Sequence, residues 1–179
     1  MQEKIDDIRI SLKNGTYLSA LALALTLPDI CSQVETRSSK GTATLYKKWV
    51  NSHLLPGYFD EQIPGFDQAK FTGNVCYSLR CNYLHSGSFI VKSKPHHVSI
   101  EKFTFLKHGS ITSKTIPLNG VPKRFGYRYE TIFNPDNTQT IEVEIDIEYL
   151  CESLCQAAET FYSSYPDKSR FIDHVCTIQ

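Results

Sequence analysis

The run Tyr17-Leu-Ser-Ala-Leu-Ala-Leu-Ala-Leu-Thr-Leu27 carries no charge and is apolar on nearly every side of a helix. A helix without a polar face has to be covered all round. The chain is therefore expected to build a helical bundle with residues 17–34 as its buried centre. Pro28 is expected to kink that helix or restart it, and Asp29 reads as a helix cap in preference to a group supporting a site. Other stretches repeat apolar residues at helical spacing. They are 2–13 (Ile5, Ile8, Leu12), 43–54 (Leu45, Trp49, Val50), 72–86 (Val75, Leu79, Tyr83) and 147–163 (Leu150, Leu154, Ala157, Ala158, Phe161). Asn14-Gly15 separates the first two helices, with Thr16 placed to cap the second. Pro56-Gly57 and Pro64-Gly65 mark 55–70 as an irregular connection, and a short helix is expected over 169–176.

After Gly87 the period falls to two. Phe103 and Phe105 alternate between Ser99 and Leu106. Phe125, Tyr127, Tyr129, Thr131 and Phe133 alternate strictly, Asn134-Pro135-Asp136-Asn137 reads as a turn, and Ile141, Val143, Ile145 and Ile147 interleave with Glu142, Glu144, Asp146 and Glu148. This is the pattern of an antiparallel hairpin with one apolar and one acidic face. The expected fold class is mainly α, a helical bundle in one domain over 1–179. An antiparallel β-hairpin or small sheet is inserted at about 98–146.

The 179 residues carry no net charge, so no global field draws nucleic acid. The charge is segregated, however. Residues 91–128 hold eight Lys/Arg against Glu101, and 129–179 hold ten acids against Lys168 and Arg170. Either these segments neutralise each other across the sheet, or the basic one faces RNA. Six cysteines at this length do not make a disulfide scaffold. Met1-Gln-Glu-Lys-Ile-Asp-Asp does not read as a signal peptide, and no run is expected to reach membrane-spanning length. A cytoplasmic protein with reduced thiols and no membrane partner is expected. Cys76, Cys81 and His85 lack the paired spacing of a zinc site, so neither metal nor cofactor is expected.

The chemistry-bearing pair is Arg80 and His85. A guanidinium grips phosphate oxygens as a permanent cation, and an imidazole exchanges protons near neutral pH. Five helical steps turn about 140°, so the two meet only where the helix ends or the arginine reaches round. Gly87 supplies such an ending. On spacing alone the pair reads more readily as a surface arginine and a histidine favoured by the helix C-terminus. Asn82, Ser86, Lys47 and Lys48 are the candidate substrate contacts.

The segment Cys76-Tyr-Ser-Leu-Arg80-Cys-Asn-Tyr-Leu-His85-Ser-Gly87 resembles the signature helix of the HEPN-domain family, and Tyr17 to Cys31 resembles an upstream helix of bacterial members. The resemblance spans about residues 1–90. It implies an Arg-x4-His metal-independent endoribonuclease, a toxin or phage-defence effector, working as a homodimer with a composite active site. Arg80 and His85 would be the catalytic pair, RNA the substrate cut to 2′,3′-cyclic phosphate ends, and an antitoxin or regulatory protein a further partner. The family's polar residue after the arginine is Cys81 here. A catalytically inactive HEPN module binding RNA, nucleotide or a protein partner is the alternative expectation.

Overall fold

The computed structural model describes residues 1–38, 40–59, 71–91, 100–111, 126–133, 135–136 and 139–174. Two helices open the chain, α1 (Gln2–Lys13) and α2 (Tyr17–Ala24). Ile5 and Ile8 of α1 are fully buried, and Gly15 takes the left-handed turn between the helices. The apolar run does not form one continuous helix. At Thr26 both the backbone N–H and the hydroxyl donate to the Leu23 carbonyl, at 3.0 and 2.7 Å, and this tight turn ends α2. Helix α3 (Leu27–Thr36) restarts immediately, with Pro28 in its first turn, where a missing N–H costs nothing.

Ala20, Leu21, Ala24, Leu25, Leu27, Ile30, Cys31 and Val34 are all buried, but Leu18 is half exposed and Leu23 only partly covered, so the run is not enclosed on every side as expected. By length and composition the two helices taken together, Tyr17–Thr36, are apolar enough to cross a membrane, contrary to the expectation that no run would be; more than half of their most apolar window is buried inside the fold.

Helix α4 (Thr42–Trp49) is shorter than the expected 43–54 segment. The chain continues as a π-helical stretch over Val50–Phe59, which contains Pro56 in place of the irregular connection expected there. Pro64-Gly65 lies outside the described residues. Trp49 is fully buried and stacks on His53, with Phe161 edge-on to both rings. His53 in turn meets Glu35 of α3 at 3.1 Å.

Helix α5 (Gly73–Ser86) starts at Thr72, whose hydroxyl accepts from the Val75 N–H at 3.4 Å. It ends at Gly87 in the left-handed conformation (φ 61°), whose N–H bonds to the Tyr83 carbonyl at 2.9 Å. The first residue of α5 decides how closely it approaches α4. A Cβ on Gly73 would lie 2.3 Å from the Lys47 carbonyl oxygen, so only glycine fits there. The Gly73 N–H also donates to Asn51 Oδ1 at 2.8 Å, tying α5 to the π-helical stretch.

The sheet has three strands, β1 (Lys102–Leu106), β2 (Tyr127–Phe133) and β3 (Gln139–Asp146), in the order β1-β3-β2. The β2–β3 pair is the expected antiparallel hairpin. It pairs Tyr127 with Ile145 and Tyr129 with Val143. β1 joins the other side of β3 in parallel, so the sheet is mixed and not wholly antiparallel. Each neighbour of β3 supplies one cation to it. Glu142 meets Lys102 of β1 at 3.2 Å, and Glu144 pairs with Arg128 of β2. The acidic face is thus neutralised from both sides, and Lys102 and Arg128 are committed within the sheet. Lys92, Lys94, Lys114, Lys123, Arg124, His96 and His97 lie outside the described residues.

Residues 89–91 follow the Gly87 turn and pair with the outer edge of β1 through Phe103 N–H to Phe89 O (2.9 Å) and Val91 N–H to Glu101 O (2.8 Å). Helix α6 (Ile147–Ser164) follows β3 directly. The buried Asp146 carboxylate accepts from the Tyr149 N–H at 2.9 Å and from the Gly109 N–H at 2.7 Å, capping α6 and pinning the turn after β1. Leu150, Leu154, Ala157, Ala158 and Phe161 face inward as expected. A 3-10 turn over Lys168–His174 seats Phe171 against the rings of Phe161, Tyr162 and Tyr165. One continuous hydrophobic core joins helices and sheet, from Ile5 through Phe103, Val143 and Ile145 to Phe171.

Gly73→Ala is expected to destabilise the protein by about 1–3 kcal/mol, the usual range for an overpacked contact. Urea unfolding monitored at Trp49 measures it.

Candidate functional site

Three helices bring the site together at one end of α5. Position 29 on α3 contributes a carboxylate, Tyr46 and Lys47 come from α4, and Cys76, Tyr77, Arg80, Cys81 and His85 come from α5. The base of the site is dry. Tyr46 is fully buried, its hydroxyl 3.4 Å from Cys76 Sγ, and its ring lies edge-on to Tyr77. Burial pushes the Cys76 thiol up to about 12, so it stays protonated and inert.

Arg80 and His85 converge. Arg80 Nη1 lies 2.8 Å from His85 Nε2. Both routes foreseen from the spacing contribute, because α5 ends one residue past His85 and the arginine reaches round the helix. On its other edge, Arg80 presents Nε at 3.1 Å and Nη2 at 3.0 Å to a single oxygen, Asp29 Oδ2. Asp29 is therefore not the cap expected of it. Thr26 occupies the N-cap position of α3, and the Asp29 side chain reaches Arg80.

The ion pair is largely enclosed, with side-chain exposures of 20% for Arg80 and 15% for Asp29, whereas His85 is exposed. Burial pushes the Asp29 carboxyl above the ordinary carboxylate range, and the Arg80 guanidinium pulls against that shift. Burial acts to lower the Arg80 guanidinium, but Asp29 and Cys81 outweigh it and leave Arg80 a more secure cation than usual.

Lys47 joins the same patch. Its ammonium sits 5.2 Å from the centre of the Tyr77 ring, and the Arg80 guanidinium carbon lies 5.9 Å from the same centre. Burial lowers the Lys47 ammonium, with Cys81 acting in the opposite direction. Cys81 acts electrostatically on both Tyr77 and Arg80, holding each in its protonated form. Lys48 is exposed and, one residue on, turns about 100° from Lys47.

Asn82 and Ser86 do not join the pair. The Asn82 amide donates to the Ser78 carbonyl at 2.8 Å, and the Ser86 hydroxyl donates to the Asn82 carbonyl at 2.6 Å, so both bond back onto their own helix. Tyr83 locks the end of α5 in place. Its hydroxyl donates to the Leu18 carbonyl at 2.8 Å, and its ring stacks on Phe89. Among the described residues no group of three His, Cys, Asp or Glu side chains is arranged to hold a metal ion.

Sequence reasoning placed Arg80, His85 and Lys47 in the site and missed Tyr77. The signal available for Tyr77 was its place one turn before Cys81 and three residues before Arg80, on the same side of the helix.

What the site offers chemically is a fixed cation, a second cation, and a solvent-facing imidazole in contact with the first. No protein-family model, curated protein or solved structure matches this chain.

Arg80→Ala is expected to leave Asp29 enclosed without its counter-ion and to cost about 1–3 kcal/mol near neutral pH. The lost attraction acts only on the ionised carboxylate. The loss should therefore shrink below the ordinary aspartate range, where Asp29 is protonated in both proteins, and grow as pH rises through the raised folded value of Asp29. Urea unfolding of wild type and Arg80→Ala across that pH range measures the difference.

Proposed function

We propose that this chain is a metal-independent endoribonuclease of the HEPN type that works as a homodimer with a composite active site. The observation that supports this most is the 2.8 Å contact between Arg80 Nη1 and His85 Nε2 at the exposed end of α5. It joins a permanent phosphate-binding cation to a proton-transfer group.

In this mechanism His85 takes the proton from a ribose 2′-hydroxyl, and the 2′-oxygen attacks the adjacent phosphorus. Arg80 and Lys47 hold the non-bridging oxygens as negative charge builds on them. The bond to the 5′-oxygen breaks, leaving a 2′,3′-cyclic phosphate and a free 5′-hydroxyl. DNA, lacking the 2′-hydroxyl, is not cut. The leaving 5′-oxygen needs a proton while the first imidazole already carries one. A second copy of His85, brought across a two-fold axis, supplies it. Asn82 and Ser86 act in this scheme by shaping the end of α5, since their side chains are spent on its backbone.

A second reading is a catalytically silent HEPN module that binds RNA, nucleotide or a protein partner such as an antitoxin. Cys81 favours it, because a thiol, a poor phosphate ligand, stands in the family's polar position.

A mixed-RNA digest in EDTA separates the two. Wild type is expected to release 2′,3′-cyclic ends. His85→Ala should lower the rate by about 10²–10⁴-fold and Arg80→Ala by about 10²–10³-fold. Equal background from all three proteins supports the silent module. Light scattering is expected to give a dimer, and a monomer at micromolar concentration sinks the shared cleft.

A further inference from the structure

Asp29 has no part in the cleavage scheme above, yet it makes the tightest demand on Arg80. A guanidinium has five N–H donors and no acceptor. Nε donates to Asp29 Oδ2 at 3.1 Å and Nη2 lies 3.0 Å from the same oxygen, a side-on approach that orients the plane of the group. With that edge held, Nη1 is the atom presented to His85 Nε2 at 2.8 Å.

The direction of this last bond is forced. Arg80 can only donate, so Nε2 must accept through its lone pair, and a neutral ring then carries its proton on Nδ1. A free neutral histidine favours the other tautomer, with the proton on Nε2. The arrangement therefore holds His85 in its less common form, and the hold traces back to a carboxylate on another helix.

We propose that Asp29 is a positioning residue that sets the tautomer and ring orientation of His85 through Arg80. The basic lone pair is thereby placed on Nε2, where it accepts from Arg80 until the phosphate takes over that N–H and frees it for the 2′-hydroxyl proton. The groups around Arg80 divide the work. Asp29 from α3 supplies the acceptor, Lys47 and Tyr77 flank the site, and Cys81 and His85 follow Arg80 on α5. The placement of the ring proton stands on geometry alone, and its consequence for RNA cleavage rests on the ribonuclease reading.

Two measurements test the proposal separately. The first is ¹⁵N NMR of the histidine side chains at alkaline pH, where the rings are neutral, with His85→Gln identifying the His85 signals. In wild type Nε2 is expected to show the shift of an unprotonated nitrogen and Nδ1 that of a protonated one. In Asp29→Ala the pattern should move toward Nε2–H. Asp29→Asn keeps an oxygen acceptor and should largely restore the wild-type pattern. Asp29→Leu, an apolar side chain suited to the same enclosed position, gives the readout if the alanine variant does not fold.

The second measurement is RNA cleavage. Asp29→Ala should lower kcat by about 10–100-fold, the range seen when a carboxylate that orients a functional histidine is removed, with KM changed much less and partial recovery in Asp29→Asn. A wild-type His85 protonated on Nε2, or an Asp29→Ala protein that keeps the Nδ1–H form, overturns the proposal. If wild type cuts no RNA but the tautomer shift occurs as stated, the ribonuclease reading fails and the positioning role of Asp29 stands.

Discussion

The approach of α5 to α4 is set by a contact with no side chain between the two backbones. Gly73 lies against the Lys47 carbonyl where a single added carbon would be 2.3 Å from that oxygen. Much follows from this closeness. It brings the Tyr46 hydroxyl to the Cys76 thiol, stands Lys47 over Tyr77 one turn further along, and lets the next turn present Arg80 to Asp29. The capping Thr72 and the Asn51 bond to Gly73 hold the same junction from the side. The electrostatics of the site thus rest on a steric fact about one glycine. A larger residue there would move every group on α5 outward together.

The sheet serves a different purpose. Its acidic strand lies between two strands that each carry one cation, and Glu142 and Glu144 are met by Lys102 and Arg128. The segregation of charge along the sequence therefore becomes cancellation in space, at least through these strands. Lys47 and Arg80 supply positive charge at the site itself, and Lys48 and Lys107 are exposed outside it. The sheet also steadies the end of α5, because the chain leaves Gly87 and at once pairs with β1.

Much of this architecture was legible in the sequence. The inward faces of α1 and α6, the antiparallel pairing of β2 with β3 and the end of α5 at Gly87 all follow from periodicity and stop signals that act within a few residues. The features that escaped depend on contacts distant in sequence. The break at Thr26 falls inside an unbroken apolar run, and the turn that makes it uses a hydroxyl bond to Leu23 that composition does not announce. The parallel placement of β1 depends on which side of β3 is left open, and no local pattern carries that. The π-helical path through Pro56 defied a breaker signal that is usually reliable.

The site shows the same division. Spacing alone left Arg80 and His85 open between a surface pair and a working one, because two side chains about 140° apart meet only through details of reach and termination. Asp29 carried every local sign of a cap, sitting in a first turn beside a proline. Its partner lies 51 residues away, and only the packing of α3 against the other helices brings the two together.

The chain of groups from Asp29 through Arg80 to His85 runs from the dry interior to open solvent. Its anchored end feels a low dielectric, where charge is held firmly and water seldom intrudes. Its outer end is bathed by the bulk, where protons arrive and depart on the timescale of diffusion. A fixed electrostatic scaffold and a freely refilled proton carrier are thereby coupled within one side chain's length, and neither function has to compromise the other.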